Sequence, residues 1–347
     1  MTTIKDVSER AGVSQATVSR VINGTSAVSP DKKFKVEQAI QDLGYRPNSI
    51  AQALASSRTD SIGIVVPELG SPFFASLLQE IEDNLRRFGY HVVVTAGSNT
   101  QKGQQESVDF LLGRRVDALI LHTLELSDDF LIDLDKRSIP VVLVNRFVPE
   151  MATSCIGIDN ELGGIEATKH LLENGHTRIA CITGPLDKSD ARGRLLGYRK
   201  AIELAGLEYD EMLVAQSGFT EKSGFKAMEK LLQRREQGHC NFSAVFASND
   251  HMAVGAMECM KEHGLDIPQD ISVVGFDNVN FSRYLSPALT TIHFPIEQTG
   301  VEAVNLTLAK LKQSVRNVNF TLSPTLVARN SVKDLEKKPY DFNKEII

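Results

Sequence analysis

Several absences narrow the reading before any motif is considered. No stretch approaches about 18 uninterrupted apolar residues, so no membrane span is expected. The first residues, Met1-Thr2-Thr3-Ile4-Lys5-Asp6, show no basic segment leading into an apolar run, so export is not expected and a cytoplasmic location is. The four cysteines (Cys155, Cys181, Cys240, Cys259) lie far apart in the sequence and form no CxxC pair. Free thiols therefore fit better than a zinc site or a disulfide framework, and no metal is expected. GxSxG, HExxH, a Walker loop and a GxGxxG after a strand are all missing, and the histidines are scattered. Neither an enzyme nor a cofactor is expected.

What is present suits a globular chain of two or three domains: 347 residues, 42% hydrophobic and 24% charged. The net charge of −6 is unevenly spread. Residues 1–58 hold eight Lys/Arg against five Asp/Glu, or +3, which leaves −9 for the rest. A small basic head on an acidic body suits a polyanion-binding module, although +3 alone is weak support.

The head reads as three helices. Thr3 and Asp6 fit a capping box, Ile4, Val7 and Ala11 make one apolar stripe, and Gly12 supplies a left-handed stop. Ser14 caps a second helix with Val18, Val21 and Ile22 on one face and Gln15, Ala16, Ser19, Arg20 and Asn23 elsewhere. Ser29-Pro30 opens a third, ending at Gly44. Two short helices joined by a tight Gly turn and buttressed by a third make a helix-turn-helix. A bundle that never touches nucleic acid has the same spacing. Short polar residues and one Arg on the second helix suit base edges and phosphates better than Lys and Glu would.

Past Arg58-Thr59-Asp60 the pattern becomes alternating strands and helices. Apolar runs at 61–66, 92–94, 118–121, 141–144, 178–182, 244–247 and 272–276 alternate with helical stretches such as 72–88 and 104–112. The fold class expected is a small all-α head plus an α/β body of two doubly wound parallel-sheet halves. Ligands of such sheets bind beyond the carboxyl ends of the strands. There lie Ser71-Pro72-Phe73-Phe74, Asn145-Arg146, Asp159-Asn160, Asp190 to Arg194, Ser248-Asn249-Asp250 and Asp277-Asn278. Singly, each is an ordinary helix cap or ion pair. Six together point to a ligand, and Arg, Asn and Asp groups with aromatic rings suit a polyhydroxylated one.

Two stretches carry a family resemblance. Val7-(x3)-Ala11-Gly12-Val13-Ser14-(x2)-Thr17-Val18-Ser19-Arg20-Val21-Ile22-Asn23, and Gly44-Tyr45-Arg46-Pro47-Asn48 with Ala51-(x2)-Leu54-Ala55, resemble the head and hinge of the lactose/galactose repressor (LacI/GalR) family. The likeness runs to about residue 335. Val144-Asn145-Arg146, Cys155 to Asp159, Gly175 to Ile179 and Ser323 to Val327 lean to its galactose-repressor branch. The resemblance implies a helix-turn-helix at 1–46, a hinge at 47–60, and a periplasmic-binding-protein-like effector and dimerisation domain at 61–335. Its subdomains are expected at about 61–159 with 292–322, and 160–291 with 323–335, before a polar tail at 336–347.

It also implies roles. Gln15, Ala16 and Arg20 read bases in the major groove. Thr3, Ser14, Thr17, Ser19, Asn23 and Ser29 sit at or near phosphates. Asn48 caps a hinge helix too short to be stable alone, and Leu54 wedges into the minor groove, a position otherwise read as plain linker. Phe73, Phe74, Asn145, Asp159, Arg194, Phe219, Asn249 and Asp277 line the effector site, although Phe219 reads equally well as core. Leu162 stands where the family supplies a sugar-binding Asp, and Asp159 is the candidate substitute. The tail lacks a leucine heptad, so a homodimer on a pseudo-palindromic double-stranded operator is expected, at the nucleoid. The function implied is a repressor of sugar-catabolism genes, switched allosterically by galactose or a related sugar-like effector. A nucleoside or purine effector is the alternative. A periplasmic sugar-binding protein accounts for the body but not for the basic head.

Overall fold

The computed structural model describes residues 2–24, 28–46, 58–98, 100–137, 139–312 and 320–335. Two compact units divide the chain, residues 1–60 and 61–347. The expected hinge residues Asn48 and Leu54, and the tail at 336–347, lie outside the described residues.

In the first unit, α1 (Ile4–Ala11), α2 (Gln15–Asn23) and α3 (Pro30–Leu43) enclose Val7, Ala11, Val18, Val36 and Ala39. The local signals act as the sequence suggests. The Thr3 hydroxyl accepts from the Asp6 N–H while Asp6 accepts from the Thr3 N–H, and Gly12 takes φ +65°. Ser14 caps α2 by accepting from the Thr17 N–H at 3.3 Å. Ser29 occupies the cap of α3, but its hydroxyl makes no cap hydrogen bond. Pro30, with its fixed φ and absent N–H, starts that helix instead.

The second unit holds two six-stranded sheets. One has the order β2 (His91–Ala96), β1 (Ser61–Val66), β3 (Ala118–Leu121), β4 (Val141–Val144), β5 (Cys155–Ile158), β11 (Thr321–Leu322). The other runs β7 (Val214–Gln216), β6 (Ile179–Thr183), β8 (Ala244–Ala247), β9 (Ser272–Asp277), β10 (Thr290–His293), β12 (Thr325–Val327). Helices cover both faces of each, which is why the strands read as unbroken apolar runs. Alternate residues feed different cores: Ile179 and Cys181 join one cluster, Ala180 and Ile182 another.

Three short links connect the lobes: from Ile158 to α7 (Asn160–Glu173), from His293 to α11 (Ile296–Lys310), and from Leu322 to β12. A changeover at 292 falls inside β10, where His293 still pairs with Asp277. One strand departs from the expected all-parallel sheets, because β12 is antiparallel to β10. The cause is geometric. β11 ends at the carboxyl edge of its sheet and only Ser323 and Pro324 separate it from β12. Two residues cannot form a crossover helix, so the chain enters the second sheet from the facing edge and runs backwards.

Candidate functional site

On the head, α2 presents Gln15, Ala16 and Arg20 exposed. Arg20 makes no ion pair among the described residues. Several of the neighbouring polar groups bond one another: Ser14 and Thr17 share their hydroxyls at 2.9 Å, and Asn23 donates to the Ser19 hydroxyl at 3.3 Å. Arg10 meets Asp42 at 2.9 Å and ties α1 to α3, which supports α2 from behind. A short, polar, exposed helix on a rigid support has the dimensions to enter a major groove.

In the body, the strand order places the crevices. Each sheet reverses its winding between its first and third strands, β1 and β3 in one lobe and β6 and β8 in the other. Helix α4 (Pro72–Arg86) follows β1, and α8 (Ser189–Leu204) follows β6. Phe73, Phe74 and Arg194 therefore stand at the two switch points.

Arg194 is the centre of the second lobe's cluster. Only 3% exposed, it donates from Nε to Asn160 Oδ1 at 2.9 Å and from Nη1 to the Ser248 carbonyl at 2.5 Å. Nη1 lies 3.4 Å from Asp277 Oδ1, and the guanidinium stacks 3.7 Å from the Phe276 ring centroid. Its place depends on a close helix contact: a Cβ on Gly164 of α7 would meet the Arg194 backbone, and one on Gly197 would meet the Glu161 carbonyl. Burial pushes the Asp277 carboxyl up to about 6, against the opposing pull of Arg194. Asp277 also holds φ +98°, a strained conformation for a side chain of this kind. Asn249 caps α10 (Asp250–Glu262) by accepting from the Met252 N–H at 2.8 Å, and its Nδ2 donates to the Phe219 carbonyl at 3.1 Å.

The first lobe contributes aromatics. Phe73 and Phe74 meet edge to face at 5.3 Å, and Phe74 lies 4.9 Å from the His122 ring. Phe73 meets Phe294 at 5.0 Å. His122 is almost wholly buried, with neither ring nitrogen partnered. Burial pulls it down to about 4, although the Asp190 carboxylate of the other lobe opposes this, so the ring is neutral at pH 7. Thr123 Oγ1, Asn145 Oδ1, Thr183 Oγ1 and Ser217 Oγ are likewise buried without a partner. All five residues end a strand or follow one closely. Orphaned polar atoms gathered on the carboxyl edges of two facing sheets are what a hydrogen-bonding ligand would satisfy.

Not every expected residue joins this group. Asp159 is exposed, and its carboxylate caps α7 by accepting from the Leu162 N–H at 2.9 Å. The neighbouring Asn160 contacts Arg194 instead. Asp159, Asn145 and Asn160 line a cleft of about 480 Å³ between β5, β11 and the start of α8. The Phe219 ring lies against Gly184 and the second lobe's core, and only its carbonyl touches Asn249. Sequence reasoning passed over His122 and Phe294. His122 was findable, because it directly follows the apolar run ending at Leu121. Phe294 was not, since a residue between a strand and a helix carries no periodic signal.

Comparison with known proteins agrees with both halves. Residues 3–48 match the model for bacterial regulatory proteins of the lacI family, and residues 168–332 match a periplasmic binding protein-like domain. The chain is 38% identical over 333 residues to the transcriptional regulator GalR of Escherichia coli (strain K12), covering 96% of each. It is 37% identical to the transcriptional repressor PurR of Pectobacterium carotovorum subsp. carotovorum (strain PC1), covering 96% of this chain and 98% of that one. Among solved structures, the lac repressor dimer bound to operator and the anti-inducer ONPF superposes with a TM-score of 0.84 at 30% identity, over 96% of this chain and 99% of the other. A complex of the regulator CelR with cellobiose gives 0.72 at 35% identity, over 95% and 100%. This chain belongs to the lacI family of bacterial regulatory proteins, as a DNA-binding transcriptional regulator with an effector-binding body.

Proposed function

We propose that the chain is a repressor of sugar-catabolism genes whose operator affinity is switched by a neutral, polyhydroxylated effector, with galactose or a related sugar the first candidate. One observation carries this reading: the cleft's arginine is already neutralised. Arg194 pairs with Asp277, while His122, Thr123 and Thr183 offer uncharged groups with nothing to bond. Sugar hydroxyls both donate and accept, which matches uncharged groups of this kind. The edges of Phe73 and Phe74 and the His122 ring would wall the apolar face of the sugar.

In this proposal Gln15, Ala16 and Arg20 read bases, and Thr3, Ser14, Thr17, Ser19, Asn23 and Ser29 approach phosphates. Two copies related by a twofold axis bind a pseudo-palindromic site. Asn48 and Leu54 keep their expected hinge roles. Effector favours a body conformation whose heads hold DNA less or more tightly, and the coupling is reciprocal. A purine effector is the second reading, favoured by the PurR likeness at almost the same identity as GalR.

Calorimetry of the full chain with galactose, cellobiose and hypoxanthine separates the two. Binding of a sugar with an accompanying change in affinity for a palindromic duplex is expected. Binding of hypoxanthine alone would replace the sugar reading with the purine one.

A further inference from the structure

Away from the connecting strands, an ion pair joins the two lobes. Lys188 precedes α8 on the second lobe. Its Nζ lies 2.8 Å from Glu125 Oε1 and donates to the Leu124 carbonyl at 3.4 Å, both on the first lobe between β3 and α6 (Asp128–Asp135). Asp187 Oδ2 stands 2.9 Å away on its other side. The Lys188 side chain is only 11% exposed and that of Glu125 26%, so water screens this pair less than most surface pairs. The loop carrying Lys188 is held in place as well: the Lys188 N–H donates to the Pro185 carbonyl at 3.0 Å, and Arg192 donates to the Leu186 carbonyl at 3.0 Å. Two residues after Lys188 comes Asp190, the carboxylate that acts on His122, so the pair stands at the rim of the proposed effector cleft.

We propose that Lys188 and Glu125 form a latch across the cleft mouth, which holds the lobes together without ligand and so sets how much effector is needed to switch the protein. The proposal rests on the cleft reading above but not on which ligand fills it. Opening the lobes must separate the ammonium from both Glu125 and the Leu124 carbonyl, while Asp187 travels with Lys188. Lys188→Met therefore removes more than Glu125→Gln does. Neither residue was placed among those that touch the ligand.

Hydrogen–deuterium exchange on the ligand-free full chain tests the latch. Peptides spanning 118–126 and 183–192 should exchange about fivefold faster in Lys188→Met, the upper range for a partly exposed pair. Glu125→Gln should show a smaller increase. The swapped pair Glu125→Lys with Lys188→Glu should restore part of the protection, and head peptides should stay unchanged in all three. Unchanged exchange in Lys188→Met would overturn the latch, as would a swapped pair no better protected than either single variant. The measurement needs no ligand, so a failure of galactose to bind would count against the effector reading and leave this result standing.

Discussion

In the head, Gln15, Ala16 and Arg20 stand exposed, while in the body Arg194, Asn249 and Asp277 are more than nine-tenths buried and bonded to protein groups. The two regions hold their proposed functional side chains under opposite conditions. A base-reading residue must wait in water for a rigid groove, so the head's stability comes from a separate set, Val7, Ala11, Val18, Val36 and Ala39. A cleft residue must be aimed before the ligand arrives, so its aiming partners are also structural ones. Function and folding are therefore separable in the head and entangled in the body.

The largest expected effect is in the body. Arg194→Ala leaves Asp277, the Ser248 carbonyl and Asn160 without their partner. Removing one member of a buried pair typically costs 3–5 kcal/mol, about 10 °C in melting temperature for a domain of this size. Effector binding by calorimetry should be lost as well, while gel shifts with operator persist. A variant that binds effector and melts like wild type would break the comparison.

Arg20→Ala should do the reverse. Loss of one base contact costs about 1–3 kcal/mol of specific affinity. The melting temperature should not move, because Arg20 has no ion-pair partner among the described residues. Equal losses on operator and on random duplex would make Arg20 a phosphate contact.

His122→Leu sharpens the entanglement. Replacing a ring with two unpartnered buried nitrogens by an apolar side chain should stabilise the ligand-free chain by about 1 kcal/mol and weaken effector binding. Acid titration gives the same contrast with a worked sign. The folded His122 resists protonation down to about 4, whereas an unfolded histidine takes a proton near 6.5. Lowering the pH through that window costs stability. Asp277, raised to about 6 from 3.8, binds its proton earlier when folded, so it contributes stability over much the same fall in pH. Compared with wild type, His122→Leu should gain stability on acidification from pH 6.5 to 4.5, and Asp277→Asn should lose it. Parallel melting curves for all three chains would remove both assignments.

The smallest expected effect comes from removing residues 1–60. The remaining body should keep its circular dichroism and its melting temperature, since its strands, its helices and their cores all lie past Ser61. An unfolded body would show that the two units are not separable.

Local chemistry by itself determined a good deal. The capping box at Thr3, the left-handed Gly12 and the Ser14 cap fixed the head, because each acts within a few residues of itself. Apolar runs such as Ser61–Val66 announced buried strands for the same reason, and the strand–helix alternation announced the doubly wound lobes. Tertiary structure alone decided which polar residues share the candidate site. Asp159 and Asn160 are adjacent in sequence, yet one caps a helix in water and the other holds Arg194. His122 became a candidate only once Phe73 and Phe74 of α4 packed against its ring and left its buried nitrogens without a partner. β12 reversed direction because the facing sheet edges left two residues for the crossing. Caps and periodicity are short-range, whereas burial, charge pairing and strand direction depend on what the rest of the chain brings alongside.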